Sequence, residues 1–277
     1  ANIMHITTPG INEKGETVGI NSKRIVISQD VEYITELIPM GREWGDYQIF
    51  DVVTTSNVQA ETIKDFFPYV ETKVVHPSIS PCFRAPIDQK DLTIAICVRD
   101  ESKIDQIIKP FQWKCPQYKW VSYKHLKGLS QELFAEEMRK CAMLIWDDDT
   151  TDWGYTPLEA IKSDTIVIAK IPEKVSDWMI DESGKELVKG VVWCDTISEM
   201  HKMIGSVVDA WVTDSIPEDV LTSMEEIKQK YTREQFKEEV GTVWGGYVES
   251  YKTELEKLIE DIKNKREEIK APEQEEK

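Results

Sequence analysis

The stretch DDDTTDWGYTPLEAIKSDTIVIAK, residues 147–170, joins an acidic, threonine-rich loop to a short helix and an apolar strand. The five residues before it, AMLIW, have the apolar character of a buried strand, and TIVIAK at its end has the same character. Between them, Thr156 and Pro157 predict a helix start, because the first helical position leaves its N–H unpaired and proline has none. A strand, a helix and a second strand in this order predict a parallel α/β sheet.

The loop before this helix has the features of an anion-binding site. First-turn amides and the positive end of the helix dipole attract negative charge, and Gly154 lets a ligand approach the backbone closely. Glu159, which the pattern places in the first turn, is expected to accept hydrogen bonds from a pair of hydroxyls. Phosphate on the amides and a diol on the carboxylate describe a nucleotide. An ordinary proline-capped helix with a dipole-favoured glutamate is the alternative interpretation.

Apolar strands alternate with amphipathic helices along most of the chain. This alternation predicts a doubly wound parallel sheet, covered on both faces, that is continuous from about residue 73 to residue 215. The predicted strands are 23–28, 50–56, 73–78, 92–98, 119–123, 142–146, 165–170 and 190–193. The predicted helices are 57–67, 102–112, 130–141, 156–163 and 198–211. Ligands of such sheets bind outside the carboxyl ends of the strands, where the acidic loop lies.

Composition limits the classes of partner. With 51 acidic and 34 basic residues, the net charge of −17 argues against a nucleic-acid or anionic-membrane surface, which needs clustered Lys and Arg. The five cysteines are dispersed without a paired motif, which predicts reduced thiols in a cytoplasm-like compartment. The sequence contains no apolar run long enough to span a membrane, and its four histidines have no metal-site spacing.

The segment WGYTPLEA, residues 153–160, followed by TIVIA, closely resembles the donor-binding signature of retaining GT-B glycosyltransferases. In that family a Glu-Gly-Phe/Trp-Gly-x-x-Pro-x-Glu-Ala stretch leads into a Pro-Val-Ile-Ala strand. Other segments resemble the family in the same order: the strand and helix at 51–63, the linker VVHPSISPCF at 74–83, the strand-to-helix segment at 96–111 and the closing helix at 230–247. The resemblance covers most of residues 50–248. It implies an α/β fold: a GT-B-like Rossmann domain with a parallel sheet, a truncated N-terminal domain portion and C-terminal helices.

The resemblance also implies roles for individual residues. Glu159 matches the glutamate that holds the ribose hydroxyls of a nucleotide-sugar donor. Arg99 and Lys103 match the basic pair that neutralises the diphosphate and stabilises the leaving group. The remaining donor-binding positions implied by the family are Thr151, Gly154, Tyr155 and Thr156. The family implies a nucleoside-diphosphate sugar as donor, with no metal and no other cofactor.

The sequence departs from the family pattern in three ways. The glutamate that contacts the donor sugar lies eight positions before the second glutamate, and Thr151 occupies that position here. Asp152, where the family has glycine, is adjacent and is the candidate substitute as a catalytic carboxylate. Pro172 and Glu173 replace a Gly-Gly pair after the strand TIVIA. These changes bear on catalysis more than on the fold.

The front of the chain departs further, since only about 70 residues precede the linker, roughly half of an ordinary domain. We therefore interpret 1–72 as a reduced or partial acceptor-side domain, 73–216 as the donor-binding domain, 217–248 as closing helices and 249–277 as a charged helix and tail. The closing helices are expected to return across the linker toward the N-terminal segment. Tyr251, Leu255, Leu258, Ile262 and Ile269 in the last segment nearly follow an a/d seam.

Two function classes stay open. The first is a glycosyltransferase that transfers a sugar from a nucleotide sugar to an unknown acceptor. The second is a GT-B-derived binding or assembly protein in which the donor domain is a scaffold. An incomplete cleft and an apolar terminal seam both predict a partner: a second copy, a separate chain that completes the N-terminal domain, or a larger assembly.

Overall fold

The computed structural model describes residues 2–11, 17–86 and 89–270. The strands are β1 Asn2–Ile11, β2 Thr17–Ile27, β3 Ile49–Thr54, β4 Glu71–Val74, β5 Asp91–Val98, β6 Ser122–His125, β7 Cys141–Asp147, β8 Ile166–Lys170 and β9 Val191–Cys194. The α-helices are α1 Glu32–Leu37, α2 Asn57–Phe66, α3 Ile104–Lys114, α4 Gln131–Lys140, α5 Tyr155–Lys162, α6 Ile197–Val212, α7 Glu218–Gln229 and α8 Arg233–Lys270.

Strand β7 is the centre of the larger sheet. All seven of its residues are buried, because helices cover both faces of the sheet. The strand order is β6-β5-β7-β8-β9, and every neighbouring pair is parallel. The predicted doubly wound α/β sheet is therefore confirmed for β5 to β9. It is not continuous from residue 73, because the strand predicted at 73–78 corresponds to β4, which pairs with β3 in a second sheet. In the larger sheet the chain reverses its winding direction between β5 and β7, which makes that gap the topological switch point.

A second sheet is formed by the first part of the chain, in the order β1-β2-β3-β4. Strands β2, β3 and β4 are parallel, whereas β1 pairs with β2 as an antiparallel hairpin. The hairpin strand β1 was not predicted, and β2 begins six residues before the predicted strand. We call this sheet with α1 and α2 the N-terminal part, and the β5–β9 sheet with its helices the C-terminal part. Among the described residues, the N-terminal part contains four strands and two short α-helices.

Helix starts follow the sequence signals closely. Ser56 caps α2 by accepting a hydrogen bond from the Gln59 amide at 3.1 Å, and Ser130 caps α4 by accepting one from the Leu133 amide at 3.3 Å. Strand β6 lies at 122–125 rather than at the predicted 119–123. Strand β4 straddles the predicted boundary between residues 72 and 73, and the division into four segments stays a prediction. Residues 271–277 of the predicted tail lie outside the described residues.

Helix α8 joins the two parts of the molecule. Its first half returns across the linker, and Tyr247 is buried in a cluster with Ile25, Val53 and Val75 of the N-terminal part. The aromatic ring of Tyr247 also lies 3.9 Å below the Lys73 ammonium. Beyond this contact the helix continues for more than twenty residues with an exposed apolar stripe. Among the described residues, no helix is both long and apolar enough to cross a membrane.

We expect Tyr247→Ala to lower the free energy of unfolding by about 3–5 kcal/mol, the usual cost of deleting a large buried aromatic side chain. Chemical denaturation measures this change. The neighbouring Val248 is 47% exposed, so Val248→Ala is the matched control and should change stability by no more than about 0.5 kcal/mol. Equal effects of the two substitutions would show that α8 does not hold the N-terminal part.

Candidate functional site

A cavity of 330 Å³ opens at the switch point between β5 and β7. The carboxyl ends of β5, β6 and β7 and the start of α5 meet there, which is where open α/β sheets bind ligands. Its lining includes Cys97, Arg99, Leu126, Trp146, Asp148 and Thr156. A larger cavity of 880 Å³ lies between residues 177–189 and α7, away from the β5–β7 strand ends. We take the smaller cavity as the candidate site because it lies at the switch point and is lined by two of the sequence-predicted residues, Arg99 and Thr156. The other predicted site residues are not part of its lining.

Gly154 shapes the entrance to α5. The glycine is the N-cap residue of α5 and has a φ of 76°, which residues other than glycine rarely adopt. A Cβ at this position would lie 3.0 Å from Cε of the buried Met179 and 3.4 Å from the Trp146 ring. The Thr151 hydroxyl accepts a hydrogen bond from the Gly154 amide at 3.0 Å. Thr151 therefore stabilises the turn in the place where the family has a sugar-binding glutamate.

Helix α5 begins at Tyr155, one residue before the predicted start. Pro157 is consequently the third residue of the helix, which still lies among the amides that have no partner within the helix. Glu159 is the fifth residue, so its predicted place in the first turn was wrong by one residue. Within the described ranges no side-chain cap is found at this helix start, and the amides of Tyr155 and Thr156 lie at its positive end.

The Glu159 carboxylate is half-buried and has no hydrogen bond or ion pair with any part of the chain that the structure describes. Burial raises its pKa to about 7, because the charged form is poorly solvated. The carboxylate lies close enough to Cys97, on the cavity wall, to contribute to the raised pKa of that thiol, although burial of the thiol is the larger cause. The Glu159 carboxylate is thus a hydrogen-bond acceptor without a donor, and a hydroxyl group of a ligand could supply that donor.

The two predicted basic residues flank the cavity but are already paired. Lys103 Nζ lies 2.8 Å from an Asp147 carboxylate oxygen and 3.7 Å from one of Asp149. The hydrogen bond to Asp147 raises the pKa of Lys103, so the ammonium stays charged. Arg99 is freer, since 63% of its side chain is exposed and its guanidinium lies 3.8 Å from Asp148.

Three successive aspartates are thus the counter-ions of this site. Asp147, Asp148 and Asp149 face Lys103 and Arg99, and Asp149 also pairs with Lys170 at 2.5 Å. Sequence reasoning identified the basic residues but not their partners. The DDD run in the opening stretch was the available signal.

Asp152, the candidate catalytic carboxylate, lies in the contact between the two parts of the molecule. Its side chain is 1% exposed, and Oδ1 accepts a hydrogen bond from Lys174 Nζ at 2.9 Å. Oδ2 accepts one from the Val31 amide, at the start of α1, at 2.5 Å. Burial, together with the nearby Asp152 charge, raises the pKa of Asp30 to about 6. A catalytic role for Asp152 requires these contacts to open and stays a prediction.

A second carboxylate makes a parallel contact. Asp177 Oδ2 accepts hydrogen bonds from the Asn57 amide at 2.8 Å and from Asn57 Nδ2 at 3.1 Å. The same oxygen lies 3.1 Å from Nε2 of His76 in the linker, and His76 Nδ1 lies 3.1 Å from Glu239 of α8. Sequence reasoning missed this network, because the partners are more than 100 residues apart for both Asn57 and His76.

In the ranges that the structure describes, no group of three or more His, Cys, Asp or Glu side chains is arranged to hold a metal ion. The five cysteines are all free thiols. The site is therefore built from carboxylates, ammonium and guanidinium groups and backbone amides.

Comparison with known proteins identifies the architecture. The chain superposes on HepE from Anabaena in complex with UDP and glucose with a TM-score of 0.60 and 10% identity, covering 80% of this chain and 71% of that one. It superposes on the sucrose-phosphate synthase of Thermosynechococcus elongatus with a TM-score of 0.56 and 9% identity, covering 82% and 68%. The fold is that of GT-B glycosyltransferases.

The pneumococcal O-GlcNAc transferase GtfA, in complex with UDP and GlcNAc, gives a TM-score of 0.50 at 12% identity, covering 74% of this chain. The chain spans 46% of the GtfA chain, about half its length. No family model matches the sequence, and no curated protein matches it. At these identities the comparisons establish the GT-B-like fold that the sequence predicted, and the activity is a separate question.

We expect Gly154→Ala to lower the free energy of unfolding by about 1–3 kcal/mol more than Gly184→Ala, because only the first forces overpacking. Both glycines have a positive φ, 76° and 71°, so the backbone strain is matched. A Cβ at Gly184 meets nothing within 4 Å, whereas one at Gly154 meets Met179 and Trp146. Thermal or chemical denaturation of the two variants measures the difference. Equal losses would mean that α5 does not need this close approach.

Proposed function

We propose that this chain binds a nucleoside-diphosphate sugar at the switch-point cavity and contributes the donor half of a glycosyltransferase. The observation that carries the proposal is the half-buried Glu159 carboxylate, which has no partner among the described residues and lies behind the cavity wall. A ribose diol supplies the two donors that such an acceptor lacks. Several GT-B neighbours hold UDP, which makes UDP the first probe to test.

The phosphate end of the proposed site has two contributors. The uncapped start of α5 offers the Tyr155 and Thr156 amides, and Arg99 offers an exposed guanidinium beside the cavity. Departure of a nucleoside diphosphate develops negative charge that amides, Arg and Lys stabilise. Lys103 would contact the phosphates only while it also pairs with Asp147 and Asp149. The sugar acceptor and the nucleobase are not specified by these contacts.

A scaffold role is the second candidate, and specific contacts favour it. Lys103 is occupied by carboxylates, Thr151 stabilises a turn, and Asp152 is buried in the contact with α1. In that case the GT-B fold would serve binding or assembly without transfer. The free thiols fit the predicted reducing compartment under either function.

We expect UDP to bind the wild-type chain and Glu159→Gln to weaken that binding by about 1–3 kcal/mol, the cost of losing hydrogen bonds to a charged acceptor. Isothermal calorimetry with UDP, GDP and ADP measures this. Glu132→Gln, an exposed glutamate in the first turn of α4, is the matched control and should bind like the wild type. Absence of binding of all three nucleotides at millimolar concentration would favour the scaffold.

We also propose that the chain associates with a second copy or a separate chain through α8. Leu255, Leu258, Ile259 and Ile262 are 38–56% exposed and follow the three- and four-residue steps of one helical face. Light scattering is expected to give a mass above that of the monomer for the full chain and a smaller mass without residues 249–277. Leu258→Glu should dissociate the assembly, while Glu256→Gln should not. Monomers in every case would refute association with a second copy.

A further inference from the structure

A short 3₁₀ helix, Asp177–Met179, connects the candidate site to the contact between the two parts of the molecule. Trp178 Nε1 donates a hydrogen bond to the Trp153 carbonyl at 2.6 Å, and the Met179 side chain packs against Gly154. Asp177, the first residue of the same helix, holds Asn57 and His76. Three consecutive residues therefore contact both the turn that begins α5 and the N-terminal part.

His76 makes a second contact with the same turn. Its ring centroid lies 5.8 Å from that of Trp153 and 6.0 Å from that of Tyr231, and the Trp153 and Tyr231 rings meet edge-on at 5.1 Å. The titratable groups that face the imidazole are Asp177 from the 3₁₀ helix, Glu239 from α8 and the Tyr231 phenol. The imidazole thus contacts Trp153, the residue directly before Gly154, so a change in the position of the ring would affect that turn.

The imidazole must be doubly protonated to satisfy both carboxylates. Each ring nitrogen of His76 lies 3.1 Å from a carboxylate oxygen, and only imidazolium has an N–H on both nitrogens. The neutral ring can donate to only one of the two carboxylates, so one of the two ring hydrogen bonds is lost. The His76 backbone amide still donates to Glu239 at 2.7 Å. The hydrogen bond to Asp177 raises the pKa of His76 above 6.5, with burial opposing and Glu239 adding to the rise.

Asp177 stays ionised across the same range. Burial alone would raise its pKa, but the hydrogen bonds from His76 and Asn57 outweigh burial, and its pKa lies below 3.8. The bridge is therefore complete between the Asp177 and His76 pKa values. It is lost as the pH rises through the raised His76 pKa, because His76 is the partner that loses its charge.

We propose that His76 is a positioning residue that couples the contact between the N-terminal and C-terminal parts to the turn at Trp153 and Gly154, and thereby to nucleotide affinity. The statement about affinity rests on the proposed function. The coupling itself concerns only the turn and the two parts that it joins.

The ionisations of Glu159 and His76 then change UDP affinity in opposite directions as the pH rises. Affinity rises as the pH passes about 7, because Glu159 becomes the charged acceptor of the ribose hydroxyls. His76 acts in the opposite sense, because affinity falls as the pH rises through its raised pKa and the neutral ring releases the turn at Gly154. The loss through His76 is expected to be about fivefold or more, the lower end of typical coupling between sites.

The test measures the UDP dissociation constant from pH 5.5 to 9 for the wild type, His76→Gln and Glu159→Gln. Hydrogen exchange of the amides at 151–155, corrected for intrinsic rates, is followed in the same buffers without nucleotide. His76→Gln should lose the alkaline fall, and its turn should exchange at low pH as fast as the wild-type turn does at high pH. Glu159→Gln should keep the alkaline fall and lose the acidic rise. His201→Gln on α6 controls for removal of an imidazole.

Glu239→Gln supplies an independent readout if His76→Gln does not fold. It removes one of the charges that raise the His76 pKa, so the alkaline fall and the exchange transition should move to lower pH. Superimposable pH dependences in the wild type and these variants would overturn the coupling. If UDP does not bind at any pH, the proposed function fails, and the exchange of the 151–155 amides alone decides whether the coupling exists.

Discussion

Two carboxylates of the C-terminal part, the buried Asp152 and the partly exposed Asp177, accept hydrogen bonds from helix starts in the N-terminal part. Asp152 accepts the Val31 amide at the start of α1, and Asp177 accepts the Asn57 amide at the start of α2. The first amides of any helix have no partner within the helix, and leaving them buried and unpaired is costly. Each half therefore supplies what the other lacks, and the hydrogen bonding of α1 and α2 is complete only when the two parts are in contact.

Each of these carboxylates needs its own compensation. Removing a carboxylate from water is costly unless a cation or several donors replace the lost hydration. Lys174 meets Asp152, and His76 with Asn57 meets Asp177. The segment that carries both carboxylates also carries the turn at Gly154, since Trp178 and Met179 pack on that turn. The contact between the two parts and the geometry of the candidate site consequently both depend on residues 152–179.

Patterns within short stretches of sequence predicted the strands and helices that such stretches determine. The apolar runs predicted β5, β7 and β8, and amphipathic segments predicted α2 and α4. The approach of a ligand to Gly154 stays a prediction. The hairpin strand β1 was missed because Pro9 and Gly10 interrupt its pattern, and pairing with β2 compensates. The partners of Asp152 and His76 could not be predicted, because contacts across more than 100 residues leave no periodic trace in one sequence.

The charge arrangement separates recognition from catalysis within the proposed site. In the proposed site a nucleoside would meet Glu159, which has no partner among the described residues to give up on accepting the ribose hydroxyls. A diphosphate must instead compete with Asp147 and Asp149 for Lys103, and the three aspartates repel it. Because rate acceleration comes from stabilising the charge that develops on the departing diphosphate, a pre-neutralised cation contributes less to transfer than to folding. A site with such an acidic loop is thus expected to retain affinity for a nucleoside more readily than the ability to stabilise a departing nucleoside diphosphate.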